Sequence, residues 1–205
     1  DPLWSRGLGD VYKRQVKTRG PGNLDQEHMR SRELGYNGYF VDQALNLDIK
    51  LFYDEITGMI SEPLRNNQYI ASNSNASRFA GTESQLDWQL SRADRLRLTH
   101  AYVHAQASNR LDQRLTASNS GSAGWLRNWG QGWSSALFYY GDSALNGYRF
   151  ERVDTRIAKR LALGSKTSLE LAGTLQQRLD HQPTTFADNL YDSRHVVYFS
   201  AELEF

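Results

Sequence analysis

Alternation of apolar and polar side chains, with a period of two residues, recurs along most of this 205-residue chain. Successive side chains of a β-strand point to opposite sides, so this period predicts strands with one apolar and one polar face. The clearest case is 44–53, where Asp48 and Lys50 alternate with an apolar set and need water on their own side. That apolar set is Leu45, Leu47, Ile49, Leu51 and Tyr53.

Nine segments of this kind are separated by stretches rich in Gly, Ser, Asn and Pro. Residues 16–29 and 54–77 show no such alternation and are predicted to be loops. Segment 116–129, rich in Ser and Gly, is the weakest of the nine patterns. The predicted strands are 30–40, 44–53, 79–89, 95–105, 116–129, 133–140, 148–161, 167–176 and 194–205.

The connections between these strands alternate in length along the chain. The short ones are 41–43, 91–94, 130–132 and 163–166, and the longer ones are 54–77, 106–115, 141–147 and 177–193. Outer-membrane barrels have short periplasmic turns and longer outer loops, whereas a soluble meander has no reason to sort its connections. The sequence therefore predicts an all-β fold: an antiparallel up-and-down meander of nine strands that forms part of an open transmembrane β-barrel.

Composition is compatible with this fold and excludes some functions. The 24 basic and 23 acidic residues give a net charge of +1, which provides no case for a nucleic-acid partner. Cysteine is absent, so neither a disulfide framework nor a thiolate metal site is expected. Mean hydropathy is −0.66 while 12% of residues are aromatic. A transmembrane barrel can have a low mean hydropathy together with many aromatic residues, because only alternate residues face lipid. A soluble β-sandwich is compatible with the same values.

The last segment ends on an aromatic residue within the alternating pattern. It resembles the closing strand of a bacterial outer-membrane β-barrel, in which a terminal aromatic residue belongs to the assembly signal. The resemblance implies that the barrel-assembly machinery and outer-membrane lipid are partners. The residues that would form this signal are Phe199, Ala201, Leu203 and Phe205.

Residues 1–15 match nothing that follows. The string DVYKRQ at 10–15 is the translation of GAT GTG TAT AAG AGA CAG and resembles a sequencing-adapter end. We interpret 1–15 as non-native peptide, 16–29 as loop and 30–205 as the barrel portion. The alternative for 1–15 is a native polar arm. With the adapter interpretation, the chain is expected to be a fragment whose N-terminal part is missing.

Several stretches in order resemble the C-terminal barrel of TonB-dependent outer-membrane receptors. These stretches are RSRELGYNGYF with LNLDIKLFYDEITGMI, ASRFAGTESQLDWQLSRADRLRLTHAYVHA, and RVDTRIAKRL with ELAGTLQQRLD. The family's customary Q-N-L in the last hairpin is replaced here at 174–177. The resemblance covers about residues 25–205 and consists of short motifs, none of them decisive alone.

This resemblance implies a receptor of about 22 strands with a plugged lumen, of which the chain would supply the last nine. The plug and the TonB box would lie outside the chain. The receptor would import a bulky nutrient, most often a ferric siderophore, with energy relayed by the TonB complex. Neither an enzymatic activity nor a cofactor is expected, and the location is the outer membrane of a Gram-negative cell.

Two groups of residues are candidates for function. The first group faces the expected lumen, either for plug docking and ligand passage or only as solvated lining: Glu83, Asp87, Arg152, Asp154 and Arg156. The second lies in the predicted loop 54–77 and either contacts ligand or is plain solvated loop: Arg65, Asn66, Asn67 and Tyr69.

Aromatic residues near strand ends suggest girdles at the membrane interfaces, with ordinary core packing as the alternative. They are Trp88, Trp125, Trp129, Trp133 and Tyr139. His100 and His104 lie four apart on one strand, about 13 Å from each other, which is too far for a shared metal.

Two other functional classes remain open from sequence. An outer-membrane barrel enzyme would need a catalytic group at the rim, and 177–193 offers Asp180 and His181 without a spacing that specifies one. A soluble β-rich binding domain is the other alternative.

Overall fold

The computed structural model describes residues 18–19, 24–42, 44–61, 64–65, 68–108, 113, 116–143, 149–180 and 193–205. The described part contains no helix that could span a membrane. The strands are β1 (Thr18–Arg19), β2 (His28–Phe40), β3 (Leu45–Ser61), β4 (Leu64–Arg65), β5 (Gln68–Ile70), β6 (Ser72–Gln89), β7 (Asp94–Ala107), β8 (Asn119–Gly130), β9 (Trp133–Asp142), β10 (Glu151–Ala162), β11 (Ser168–Arg178) and β12 (His195–Glu204).

Nine of these strands form one sheet in the order β12-β11-β10-β9-β8-β7-β6-β3-β2. Neighbours in the sheet follow one another along the chain, except that β4 and β5 lie between β3 and β6 in sequence. The sheet is not closed, because β2 and β12 are its two ends among the described residues. The predicted all-β, antiparallel nine-strand meander is confirmed.

Connections in the nine-stranded sheet alternate in length as predicted. Those at 41–44, 90–93, 131–132 and 163–167 are short, and those at 62–71, 108–118, 143–150 and 179–194 are longer. We call the end of the sheet that carries the first set the short-turn end. Strands β8 to β12 are 10 to 12 residues long, which suits a tilted membrane span.

The prediction that 54–77 is an irregular loop was wrong for most of that stretch. Strand β3 continues to Ser61 and β6 starts at Ser72, while β4 and β5 form a small sheet with β1. Strand β1 and the start of β2 likewise fall inside 16–29, which was predicted to be loop. The end of β3 contains Ile56, Met59 and Ile60, but these residues do not follow a strict two-residue alternation, and the start of β6 is mostly Ser and Asn.

The described part of the chain forms two compact units. The described residues within 1–31, 54–78 and 106–113 form the first unit, and those within 32–53, 79–105 and 114–205 form the second. In the first unit, polar side chains bond to backbone: the Asn73 amide donates to the carbonyls of Asp25 and Gly58 at 2.9 and 2.7 Å. Arg78 and Glu55 form an ion pair at 3.0 Å in the same unit.

In the second unit most of the large aliphatic side chains lie on one face of the sheet, where they are exposed or half-buried, and we call this the apolar face. Strand pairing aligns one row of this face across six strands: Leu96, Trp125, Leu137, Thr155, Leu175 and Val197. Exposure reaches 84% at Phe199 and 68% at Leu34 on this face. Leu45, Leu47, Ile49 and Leu169 are half-buried, and Leu51 and Leu171 are exposed.

The opposite face, which we call the polar face, holds the most buried residues of the second unit. They are small or polar: Ala158 is 1% exposed, Ala172 6% and Thr174 8%. Ala158 pairs with Ala172, and both lie between rows of charged side chains. A soluble domain buries its large apolar side chains, so this distribution is the reverse of a soluble β-sandwich.

The β8–β9 turn depends on a glycine. Gly132 has a φ of +80°, and a Cβ there would lie 2.3 Å from the backbone oxygen of Arg160. We expect Gly132→Ala to lower the free energy of unfolding by about 1–3 kcal/mol, because it combines left-handed strain with a backbone clash. Urea unfolding of the refolded barrel in detergent measures this change.

Gly164 in the β10–β11 turn is the matched control. A Cβ at Gly164 meets no atom within 4 Å. We expect Gly164→Ala to change the free energy of unfolding by less than about 0.5 kcal/mol. Equal losses at the two turns would contradict the role assigned to Gly132.

Candidate functional site

Ion pairs run across the polar face of β10, β11 and β12. Arg156 donates to Glu170 at 2.6 Å, and Arg160 lies 3.5 Å from the same carboxylate. Arg160 also reaches Glu204 at 3.3 Å. Because alternate side chains of a strand point to the same face, each strand places these groups on the polar face. The result is a chain of alternating charges that joins three strands.

A second cluster combines charge with aromatic rings. Arg152 donates to Asp154 at 3.0 Å, and Gln176 donates to the same carboxylate at 3.0 Å. The Arg152 guanidinium lies 4.9 Å from the ring centre of Tyr140 and 5.8 Å from that of Phe150. Tyr140 in turn stacks on Phe138 with a centroid separation of 5.9 Å. Rings next to a fixed cation can hold a planar or anionic ligand.

The third and fourth clusters lie on β3, β6 and β7. Asp87 accepts from Arg95 at 2.5 and 2.6 Å and from Arg97 at 2.9 and 3.1 Å. Lys50 lies 2.7 Å from Glu83. All of these groups lie on the polar face, so charge of both signs continues across the second unit.

An open cavity of about 650 Å³ lies against this face. Its walls come from β3, β6, β7, β8 and β9 and from Phe150. The cavity is large enough for a small molecule and presents hydroxyl, carboxylate, ammonium and phenol groups. Side chains that line it include Asp48, Lys50, Glu83, Thr99, Ser122, Tyr140 and Asp142.

The first group of sequence candidates lies together on the polar face. Glu83, Asp87, Arg152, Asp154 and Arg156 each take part in one of the clusters above. What they do in the protein stays a prediction. The main partners that the candidate list omitted are Arg95, Arg97, Tyr140, Glu170 and Gln176, and the same two-residue alternation would have included all of them.

The second group is only partly placed. Arg65 and Tyr69 lie in the short strands β4 and β5, while Asn66 and Asn67 lie outside the described residues. Residues 1–15 lie outside the described part too, so the adapter interpretation stays a prediction. On β12, Phe199, Ala201 and Leu203 lie on the apolar face, and Phe205 is 96% exposed.

The aromatic candidates lie on the apolar face and are between 37% and 58% exposed, which favours interface girdles over core packing. Trp129 and Trp133 flank the β8–β9 turn at the short-turn end, and Tyr139 lies six residues further along β9. His100 and His104 lie four residues apart on β7.

The residues named for a possible enzyme form no catalytic arrangement in the described part. Asp180 forms an ion pair with Arg178 and accepts the backbone N–H of Glu151 at 3.1 Å. His181 lies outside the described residues.

Comparison with known proteins identifies the family. The profile described as TonB dependent receptor-like, beta-barrel matches residues 4–188, which is most of the chain. The chain belongs to the TonB-dependent receptors. The match includes residues 4–15, which the adapter interpretation excludes from the barrel.

Solved receptor structures share the barrel fold of this chain. The copper transporter OprC superposes with a TM-score of 0.62 at 14% identity, over 91% of this chain and 34% of OprC. The ferric-catecholate import receptor Fiu of E. coli K12 gives 0.54 at 12% identity, over 74% of this chain and 23% of Fiu. FpvAI, solved in complex with pyocin S2, gives 0.55 at 10% identity, over 88% and 27%.

The chain therefore spans about a quarter to a third of the length of these receptors. No curated protein matches the chain in sequence. TonB-dependent receptors are transport receptors and not enzymes, and the barrels of the family are outer-membrane proteins of Gram-negative bacteria.

Proposed function

We propose that this chain forms part of the wall and outer loops of a receptor that imports a bulky nutrient across the outer membrane, with a ferric siderophore as the first candidate. The observation that carries this proposal is the opposition of the two faces in the second unit. Exposed apolar side chains cover one face, and paired charges with a cavity of about 650 Å³ occupy the other.

The apolar face then contacts lipid and the polar face lines the lumen. Side chains such as Phe199 and Leu137, 84% and 45% exposed, would be unfavourable in water and are favourable against hydrocarbon. The charges on the other side stay in water and are neutralised in pairs, as at Arg156 and Glu170. Plug docking on Glu83, Asp87, Arg152, Asp154 and Arg156 belongs to this proposal.

The ligand class rests on the chemistry of the lumen side and on the family. Tyr140, Phe150 and the Arg152 guanidinium present two rings and a cation beside each other. Such a group suits a rigid ligand that carries aromatic rings or negative charge, as many metal chelates do. Fiu and OprC, which share the fold, are named for ferric-catecholate import and copper transport.

Partners follow from the same proposal. The TonB complex would act through a region outside the part of the receptor that this chain represents, the barrel-assembly machinery would insert the barrel, and lipid would surround it. The loop residues Arg65, Asn66, Asn67 and Tyr69 are proposed to contact the ligand.

A growth and uptake assay tests the function. The full-length receptor is expressed in a Gram-negative strain that lacks its own siderophore receptors, and uptake of labelled ferric siderophores and of copper is measured. We expect uptake of one class only, and its loss when TonB is deleted. Uptake that is independent of TonB, or no uptake of any metal chelate, would overturn the proposal.

Adjacent tyrosines on β9 provide a matched pair of variants for the same assay. Tyr140 lies on the polar face against Arg152, whereas Tyr139 lies on the apolar face. We expect Tyr140→Ala to lower uptake at sub-saturating ligand by about three- to tenfold and Tyr139→Ala to leave it within about twofold. Receptor levels in the outer membrane, measured by immunoblot, control for assembly. Equal effects would show that the lumen side does not contact the ligand.

A further inference from the structure

A groove of about 500 Å³ lies on the apolar face at the short-turn end. Three tryptophans form its walls, one from β8 and two beside the β8–β9 turn, and Leu137 and Ile157 continue the lining. We call it the tryptophan groove. Its tryptophans are Trp125, Trp129 and Trp133.

The rings of this groove are held in place. The Trp125 indole N–H donates to Asp94 at 3.0 Å, and the Trp129 indole N–H donates to Ser135 at 2.9 Å. The Arg127 guanidinium lies over the Trp129 ring at 4.4 Å and over the Trp125 ring at 5.9 Å. A fixed groove loses little conformational entropy when it takes up a ligand.

Two cations border the groove. Arg127 pairs with Asp94 at 3.2 Å, so that pair has no net charge. Lys159 lies 5.0 Å over the Trp133 ring and donates to the backbone carbonyl of Gln131 at 2.6 Å. No carboxylate pairs with Lys159 among the described residues. The groove thus combines apolar walls with one positive charge that an acidic side chain does not neutralise.

We propose that the tryptophan groove binds a glycerophospholipid with an anionic headgroup from the periplasmic leaflet. An acyl chain would pack between the tryptophans, Leu137 and Ile157, and the phosphate would bind the Lys159 ammonium. Charge complementarity supports this occupant over an uncharged one. The proposal rests on the proposed placement of the apolar face in lipid.

The test uses full-length receptor in nanodiscs of phosphatidylethanolamine with a minor fraction of phosphatidylglycerol, the latter with brominated acyl chains. Bromine quenches tryptophan only at contact, so the headgroup-dependent part of the quenching, and not the total, reports occupancy of the groove. We expect Lys159→Gln to weaken the affinity for phosphatidylglycerol, as measured from the quenching, by about fivefold. Lys159→Arg should keep the affinity of the unmodified receptor.

Two control variants separate this site from general membrane contact. Lys166→Gln removes a charge from the β10–β11 turn, and Trp88→Phe removes an apolar-face tryptophan that does not line the groove. Both should leave the selective quenching unchanged. Quenching without headgroup preference, or equal loss in Lys159→Gln and Lys166→Gln, would overturn the lipid site while the membrane placement stands. No quenching of any tryptophan would overturn both.

Discussion

Replacing Leu175 by Arg is expected to lower the free energy of unfolding by about 2–4 kcal/mol, the range for a cation on the lipid side of a barrel near the bilayer midplane. Leu175 is 40% exposed on the apolar face and lies in the six-strand row with Leu137 and Val197. No acidic side chain of the described row could neutralise the guanidinium. Urea unfolding of the full-length receptor in phospholipid vesicles measures the change.

The adjacent position gives the control. Gln176 lies on the polar face and donates to Asp154 at 3.0 Å. Arg at 176 could make the same contact in water, so we expect Gln176→Arg to change the free energy of unfolding by less than about 1 kcal/mol. If both variants lost the same amount, the two faces would not differ in solvent, and the lipid placement would be wrong.

Much of this fold could be predicted because a strand in a membrane barrel has one face against lipid and the other against water, and its sequence must alternate accordingly. Leu169 and Leu171 on one side and Ser168 and Glu170 on the other already specify both faces of β11. Even the segment with the weakest pattern forms a strand, β8, which pairs on both sides and has one irregularity between Asn128 and Gly130. The glycines of β8 interrupt the apolar pattern but do not prevent strand pairing. On the polar face, the Phe138 ring covers Gly124.

The prediction failed at strand ends where apolar and polar residues do not alternate strictly, as in 54–61, or where nearly all residues are polar, as in 72–78. The ends of β3 and β6 are held by backbone pairing and by side chains such as Asn73, which bonds to Gly58, and hydrophobic alternation cannot detect them. Composition alone marked them as loop. Gly58 within β3 also has a φ of 64°, and its carbonyl accepts a hydrogen bond from the Asn73 amide at 2.7 Å.

The sequence predicts which face of the sheet each charged residue of the candidate site lies on, but not which residues form ion pairs with each other. Alternation places Asp87 and Arg156 on one face, yet it does not give the stagger between strands that brings Asp87 to Arg95 and Arg97. Stagger depends on turn geometry, which differs among the short turns. At the β2–β3 turn, Val41 and Asp42 both have a φ of 52°, a conformation that β-branched residues rarely adopt.

The Asp87 cluster is expected to be the strongest coupling on the polar face. Its carboxylate is 15% exposed and accepts four hydrogen bonds from two guanidiniums, which are 45% and 40% exposed. Removing the carboxylate leaves two like charges two residues apart on β7. We expect Asp87→Ala to lower the free energy of unfolding by about 2 kcal/mol, below the value for a fully buried pair because water reaches both guanidiniums.

A mutant cycle separates this coupling from the loss of packing. In the Arg95→Gln/Arg97→Gln background the repulsion is gone, so Asp87→Ala should there lower the free energy of unfolding by less than about 1 kcal/mol. High salt should shrink the difference between the two backgrounds, because it screens partly exposed charges. Urea unfolding of all four receptors at low and high salt provides the measurement. An Asp87→Ala loss that is equal in both backgrounds would show that the cluster contributes packing alone, and that the polar-face charges do not stabilise the barrel through their pairing.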